Sequence, residues 1–232
     1  MDLIWDGLRE SFRILGTGDR DVWEIALRSL FVSGSATALA MVIGVLAGAG
    51  LAFGRFPGRH LALALVNTGM GLPPVVVGLV VAILLWRSGP LGGLGLIYSP
   101  AAMVIAQTVI AAPLVAAFTA AALVSLPARL RPQLYALGAS RWQMLRLVLV
   151  EARLPLMAAI MAGFGAAVSE VGASLMVGGN LSGETRVLTT AVVLAVNRGE
   201  FAPAIALSLI LLVLIFLVNL VLTTVQVRER GS

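Results

Sequence analysis

The 232-residue chain has no cysteine, no lysine and one histidine, His60. Without cysteine there is no thiolate nucleophile, disulfide or iron–sulfur ligand, and a lone histidine cannot build a histidine-rich zinc site or a two-histidine metal motif. All 16 basic residues are arginine, which removes both the lysine of a GxxxxGK[ST] phosphate loop and Schiff-base chemistry. Charge is scarce as well: 12% of residues are charged, against about a quarter in soluble domains. The pI near 11.2 follows from the arginine-only basic set. Those arginines are scattered along an apolar chain and not gathered on one soluble face, so no nucleic-acid binding is read from them.

What remains is apolar. A hydrophobic content of 59% and a mean hydropathy of +1.02 place the chain in a bilayer. Four runs contain no Asp, Glu, Lys or Arg: Ser29 to Gly54, Leu61 to Trp86, Ser88 to Ala128 and Phe201 to Val227. Each can cross a core of about 30 Å at roughly 1.5 Å per helical residue. The third opens on Gly89-Pro90-Leu91-Gly92-Gly93-Leu94-Gly95, which is loop-like, so its helix is set at Pro100 to Val124. A fifth span begins at Pro155, suited to a first helical turn, and runs to Val177 with one acid, Glu170.

The expectation is an all-α integral membrane protein, one domain over residues 1–232, with five transmembrane helices and an amphipathic N-terminal segment over 1–23. In that segment Ile4, Leu8, Phe12 and Leu15 oppose Asp2, Asp6, Glu10 and Arg13. It lacks the basic start of a signal peptide, and suits a helix on the membrane surface or one packed outside the bundle. Arg55 and Arg59, the five arginines between Val124 and Pro155, and Arg228 and Arg230, nine in all, fall on one side of such a chain and six on the other, with Arg28 at the membrane edge. This predicts a multi-pass protein of the cell (inner) membrane, with the N terminus outside and the C terminus cytoplasmic.

The loop over 125–154, between helices three and four, carries mixed character. It reads as a short helix over Gln133 to Leu137, a turn at Gly138 where positive φ is tolerated, and a second amphipathic helix from Ser140, with Trp142, Leu145 and Leu149 on one face. Such a corner fits a groove on a cytosolic partner, or lies as an ordinary loop on the membrane. Pro73-Pro74 interrupts helix two and frees backbone carbonyls, which membranes tolerate where a cavity is lined or protein covers the break. Ala36, Ala40, Gly44 and Gly48 form a stripe of small residues on helix one, read as a packing face.

Two segments carry a family resemblance. Ala136-Leu137-Gly138-Ala139-Ser140-Arg141-Trp142, followed by Leu154-Pro155, resembles the glycine-centred loop of ATP-binding-cassette importer permeases, although Pro132, Gln133 and Leu134 stand where that family's Glu-Ala-Ala falls. Ser169-Glu170-Val171-Gly172-Ala173-Ser174-Leu175-Met176-Val177-Gly178-Gly179-Asn180 and Thr185-Arg186-Val187-Leu188-Thr189-Thr190-Ala191 resemble the permeases of tungstate importers, with molybdate permeases carrying a looser version. The resemblance implies a type I importer permease fold and a tungstate (oxyanion) pore formed by a homodimer in membrane lipid. It also implies a cytoplasmic ATPase that binds the ATP and Mg this chain does not, and an external tungstate-binding protein. Coupling to the ATPase then falls to Gln133, Leu134, Tyr135, Ala136, Leu137, Gly138, Ala139, Ser140 and Trp142.

The candidate pathway or gate comprises Pro73, Pro74, Glu170, Gly172, Gly178, Gly179, Asn180, Arg186, Thr189 and Thr190. Glu170 lies about 22 Å along a helix from Pro155. A carboxylate there costs about 2.5–3.5 kcal/mol if ionised and unpartnered, which favours a hydrogen-bonded structural or gating role over contact with a dianion. Gly178-Gly179-Asn180 reads as a helix C-cap, and Asn180, Thr185, Arg186, Thr189 and Thr190 as a donor-rich rim suited to an oxyanion. The alternatives are a molybdate or sulfate permease and, in another class, a stand-alone channel or secondary transporter. Against the latter stand the absence of an internal repeat and of intramembrane ionisable groups other than Glu170. An enzyme is disfavoured by the lack of paired catalytic groups.

Overall fold

The computed structural model describes residues 2–17 and 20–230; positions 1, 18, 19, 231 and 232 of the expected single domain, and the side chains of Asp2, Ile4 and Leu15, lie outside the described residues. The described chain is helical throughout its regular structure: α1 (Asp2–Thr17), α2 (Arg20–Phe53), α3 (Arg59–Met70), α4 (Pro74–Leu85), a 3-10 turn (Gly92–Leu94), α5 (Pro100–Val124), α6 (Leu130–Ala136), α7 (Arg141–Glu151), α8 (Arg153–Val168), α9 (Gly172–Gly178), α10 (Leu188–Asn197) and α11 (Phe201–Arg230). The helices α2, α5 and α11 are each long and apolar enough to cross a membrane. Two bent pairs, α3 with α4 at 105° and α7 with α8 at 74°, bring the count to as many as five.

Two expected spans are not single rods. In helix two the break is complete and not a kink: Pro74 opens α4 at its first position, and Pro73 before it is extended at φ −61°, ψ 123°. Steric conflict with the following proline ring drives the preceding residue out of the helical region. The expected span from Pro155 to Val177 also divides. It stops at Val168, where the Ser169 hydroxyl donates to the Gly165 carbonyl at 2.7 Å, and resumes at Gly172. Local side-chain bonds there compete with the helical ladder. The segment after it holds a further short helix, α10, that hydropathy did not single out.

The centre of the bundle is α2 against α5. The small-residue stripe packs as expected: Ala36 and Ala40 are fully buried, and a Cβ added at Gly44 or Gly48 would lie 2.9 Å or 2.5 Å from the carbonyl oxygens of Ala112 and Ala116. Lipid tails are as apolar as leucine, so helices associate in them by close van der Waals fit, and small residues permit it. A core of Val32, Val77, Val81, Leu85, Met103 and Val177 gathers α2, α4, α5 and α9. A second, of Ala49, Leu123, Met144 and Val148, ties α7 to the far ends of α2 and α5.

The amphipathic α1 lies along α11. Gly7 allows the approach, since a Cβ there would be 2.5 Å from Ile205 Cγ2. On its polar face the Arg13 guanidinium bonds the Glu10 carboxylate and holds that carboxyl below its ordinary range. Toward the other end of α11, Gln226 Nε2 donates to the Leu154 carbonyl at 3.2 Å and sets the close of α11 beside the start of α8.

Gly48→Ala is expected to lower the unfolding midpoint in detergent, at a cost of roughly 1–3 kcal/mol from overpacking. Gly50→Ala, where the added Cβ meets open space, should match or exceed the parent. Thermal unfolding followed by intrinsic fluorescence distinguishes the two.

Candidate coupling and translocation sites

The segment from α6 to α7 folds as a rigid corner. After α6 the chain closes with Gly138 N–H donating to Tyr135 O and Ala139 N–H to Leu134 O, both at 3.0 Å, around Gly138 at φ 81°. This paired closure requires a left-handed residue, which glycine adopts without strain. The next helix is capped reciprocally: Ser140 Oγ accepts from Gln143 N–H at 3.3 Å, and Gln143 Oε1 accepts from Ser140 N–H at 2.8 Å. The first helix begins three residues before the expected Gln133. The inward face of α7 is also shifted: Met144 and Val148 are buried, Leu145 and Leu149 pack beside them, and Trp142 is 79% exposed.

Leu134 packs into the core beneath, while Gln133, Tyr135, Ala136, Gly138 and Ser140 are exposed and Ala139 is half-buried. Leu137, at 83% exposure, and Trp142 are the most exposed apolar side chains of this corner. A hollow of about 590 Å³ lies between the two helices, lined by Leu134, Leu137, Ala139, Gln143, Leu147 and others.

At the broken spans, the second halves meet. A Cβ on Gly78 of α4 would lie 2.6 Å from Ala173 Cα of α9, and one on Gly172 would lie 2.8 Å from Val75 Cγ2. Glu170 sits in the break ahead of α9, 6% exposed. Its Oε1 accepts from Ala173 N–H at 2.7 Å, and its backbone oxygen accepts from Thr189 Oγ1 at 3.1 Å. The carboxylate thus caps one short helix while its carbonyl is held by another. Pro73 and Pro74, by contrast, are exposed.

The rim residues are brought together, but their hydroxyls turn inward. Thr185 Oγ1 donates to Gly178 O at 2.5 Å and accepts from Leu181 N–H at 2.9 Å. Thr190 Oγ1 donates to Val187 O at 3.0 Å, and Thr185, Thr189 and Thr190 are all buried. Gly179 and Asn180 take positive φ, 71° and 52°, and a Cβ at Gly179 would strike Tyr98 at 2.8 Å. Arg186 reaches the Asn180 carbonyl at 3.4 Å. The donor set expected to face an oxyanion is in this geometry a knot that satisfies its own backbone.

Sequence reasoning passed over three contributors. Arg28 of α2 donates to Gly183 O at 2.7 Å and Arg186 O at 3.1 Å, and Ser29 Oγ accepts from Leu188 N–H at 2.8 Å; together they clasp the 179–187 loop. Gln107, buried in α5, donates from Nε2 to Ser174 Oγ of α9 at 3.1 Å. Its isolation as a long polar side chain within a charge-free run was the available signal. Among the described residues no three His, Asp or Glu side chains gather as a metal-binding set.

The profile described as "Binding-protein-dependent transport system inner membrane component" matches residues 40–231. The tungstate uptake system permease protein of Peptoclostridium acidaminophilum is 36% identical over 226 residues, covering 97% of this chain and 99% of that protein. A probable anion ABC transporter permease protein of Haloferax volcanii is 40% identical over 196 residues, covering 82% and 84%. In fold, the chain is similar to a chain of the inward-facing MetNI methionine ABC transporter, with a TM-score of 0.74 at 22% identity, covering 94% of this chain and 98% of that one.

Glu170→Gln keeps an oxygen for the Ala173 amide and should leave the unfolding midpoint close to the parent's. Glu170→Ala removes the cap and should cost about 0.5–2 kcal/mol. Equal midpoints for the two variants in a detergent melt would contradict the capping role.

Proposed function

The chain belongs to the family of binding-protein-dependent transport system inner membrane components, and on that premise we propose that it is the permease of an ATP-driven tungstate importer. Two copies enclose the pore, a cytoplasmic ATPase pair holds ATP and Mg, and an external protein delivers the oxyanion. The observation that carries this reading is the α6–α7 corner: a glycine turn closed by two backbone bonds presents Leu137 and Trp142 to solvent. Exposed large apolar side chains on a rigid corner suit a groove on a partner protein. Tungstate as cargo is supported by the near full-length similarity to the Peptoclostridium acidaminophilum tungstate uptake permease.

With that corner in the cytosol, the opposite end of α2 and the 179–187 loop face outward, which puts the N terminus outside and the C terminus in the cytoplasm. In this reading Gln133, Leu134, Tyr135, Ala136, Leu137, Gly138, Ala139, Ser140 and Trp142 form the ATPase contact. Pro73, Pro74, Glu170 and Gly172 sit where the two broken helices meet, and a relative shift of α4 and α9 opens or closes the pore. Gly178, Gly179, Asn180, Arg186, Thr189 and Thr190 shape the external gate through backbone geometry.

Reconstitution with the ATPase and binding protein in proteoliposomes tests the reading. Uptake of tungstate should require ATP and be competed more strongly by molybdate than by sulfate; uptake that runs without ATP supports a channel or secondary transporter instead. Removing residues 133–142, or the change Ala136→Glu, should abolish uptake while the purified ATPase still hydrolyses ATP. Undiminished uptake would overturn the assignment of the coupling corner.

A further inference from the structure

Next to the coupling corner, where α2 gives way to α3, the chain forms a hollow of about 540 Å³ whose lining includes Arg55, Arg59, His60 and Arg131. No carboxylate lines it among the described residues. The walls come from four separate places: the end of α2, the loop 54–58, the start of α3 and α6. The Arg131 guanidinium lies 4.3 Å over the Phe53 ring, and its Nε is buried without a hydrogen-bond acceptor. Arg59 is held in place by donation from Nε to the Leu51 carbonyl at 2.8 Å. Arg55 is exposed, with no acidic side chain among the hollow's walls to pair with it. Three guanidinium groups held around one hollow without a countercharge repel one another, and that arrangement is relieved by an anion.

A second hollow adjoins the first. Ala52 and Arg59 line both, and the second, of about 290 Å³, runs between α3 and α5 with Leu51, Leu63, Val66 and Val124 in its walls. A cationic chamber beside a largely apolar trough has the polarity of one amphiphile: phosphate at one end, hydrocarbon at the other. A soluble oxyanion would satisfy only the first. We propose that this seam binds an anionic phospholipid of the leaflet on the coupling side, with its phosphate among Arg55, Arg59 and Arg131 and an acyl chain in the trough beside α3. Basic pockets between membrane helices recognise such headgroups by charge. The site lies against α6, so an occupied seam buttresses the coupling corner from the membrane side. The inference rests on the chain's membrane placement and not on its cargo; a transporter of another oxyanion would still bind the lipid, so the two readings fail separately.

Native mass spectrometry of the purified full-length chain in detergent tests this, with phosphatidylglycerol, phosphatidylcholine, short-chain phosphatidylglycerol, glycerol phosphate and tungstate as probes. Long-chain phosphatidylglycerol should be retained in preference to all the others. Arg55→Gln and Arg131→Gln should each weaken its binding about fivefold, while Arg228→Gln, outside the hollow, leaves it unchanged. Equal retention of phosphatidylcholine overturns the charge recognition, and equal retention of the short-chain lipid overturns the trough. Glycerol phosphate or tungstate binding as tightly as the long-chain lipid would make this a free-anion site. Indifference to both arginine variants would overturn the proposal as a whole.

Discussion

In a hydrocarbon solvent no water stands ready to take up a freed backbone group, so each interruption of a membrane helix must be closed by the protein itself. The local geometry of this chain follows from that constraint. Two spans are interrupted, and around one of them side chains close the ladder. Ser169 takes a carbonyl at the end of α8, and Glu170 supplies the acceptor that α9 needs at its start. Thr189 then closes the carbonyl of Glu170 from α10. Ionised and unpartnered within a span, a carboxylate costs about 2.5–3.5 kcal/mol; as a helix cap it receives an amide donor whose own isolation would be costly. The two costs offset each other, which accounts for an acid in a segment otherwise free of charge.

The same constraint explains why the threonines near the far mouth turn inward. The loop from Gly179 to Val187 reverses direction with two consecutive left-handed residues, leaving carbonyls and amides that no helix can satisfy. Thr185, Thr190, Arg28 and Ser29 take them up. These bonds tie the loop to α2 and α10, and the break between α8 and α9 lies beside it, linked through Thr189 and the Glu170 carbonyl. Contact of α4 with α9 through Gly78, Ala173 and Gly172 is backbone-close. The approach leaves no room for even a methyl group, since a Cβ added at Gly78 would lie 2.6 Å from Ala173 Cα, and interiors packed this closely transmit strain.

Much of this architecture was legible in the sequence, because it is written in features that lipid makes unambiguous. The absence of charge over long runs marks α2, α5 and α11, and Ser99-Pro100 marks the start of α5, where Ser99 accepts from Ala102 N–H at 3.3 Å. Gly138 marks the corner, since the closing turn admits little else. Breaks were harder. Pro73-Pro74 announces an interruption but not its angle of 105°, which is set by packing of α3 on α5 through Gly69 and Pro113. The gap at 169–171 has no proline, and hydropathy passes over it. Glu170 was visible as an anomaly, but its role as a cap depends on a chain reversal that only tertiary contacts define. The threonines were visible as donors, and their partners, being backbone carbonyls, carry no letter in a sequence.

At the coupling end the constraint is reversed, since water is present and backbone groups need no closure from within. The α6–α7 corner is nonetheless closed at both sides of Gly138, by the two backbone bonds to Tyr135 and Leu134 and by the Ser140–Gln143 cap. A mobile loop would lose little by lacking these bonds in water, so their presence fixes direction and not solubility. Met144 and Val148 anchor the corner in the core shared with α2 and α5, and Leu137 and Trp142 are left pointing out. From those two side chains a continuous run of capped helix leads to the start of α8 and along α8 to the break that Glu170 closes, which is the connection the proposed coupling role requires. In that proposed role a stiff corner and a break that bends are complementary: were the corner soft, motion would be absorbed before it reached the membrane. In a chain without a lysine to hold a nucleotide, the proposed coupling role depends on that stiffness, because movement made by a partner has to reach the break between α8 and α9.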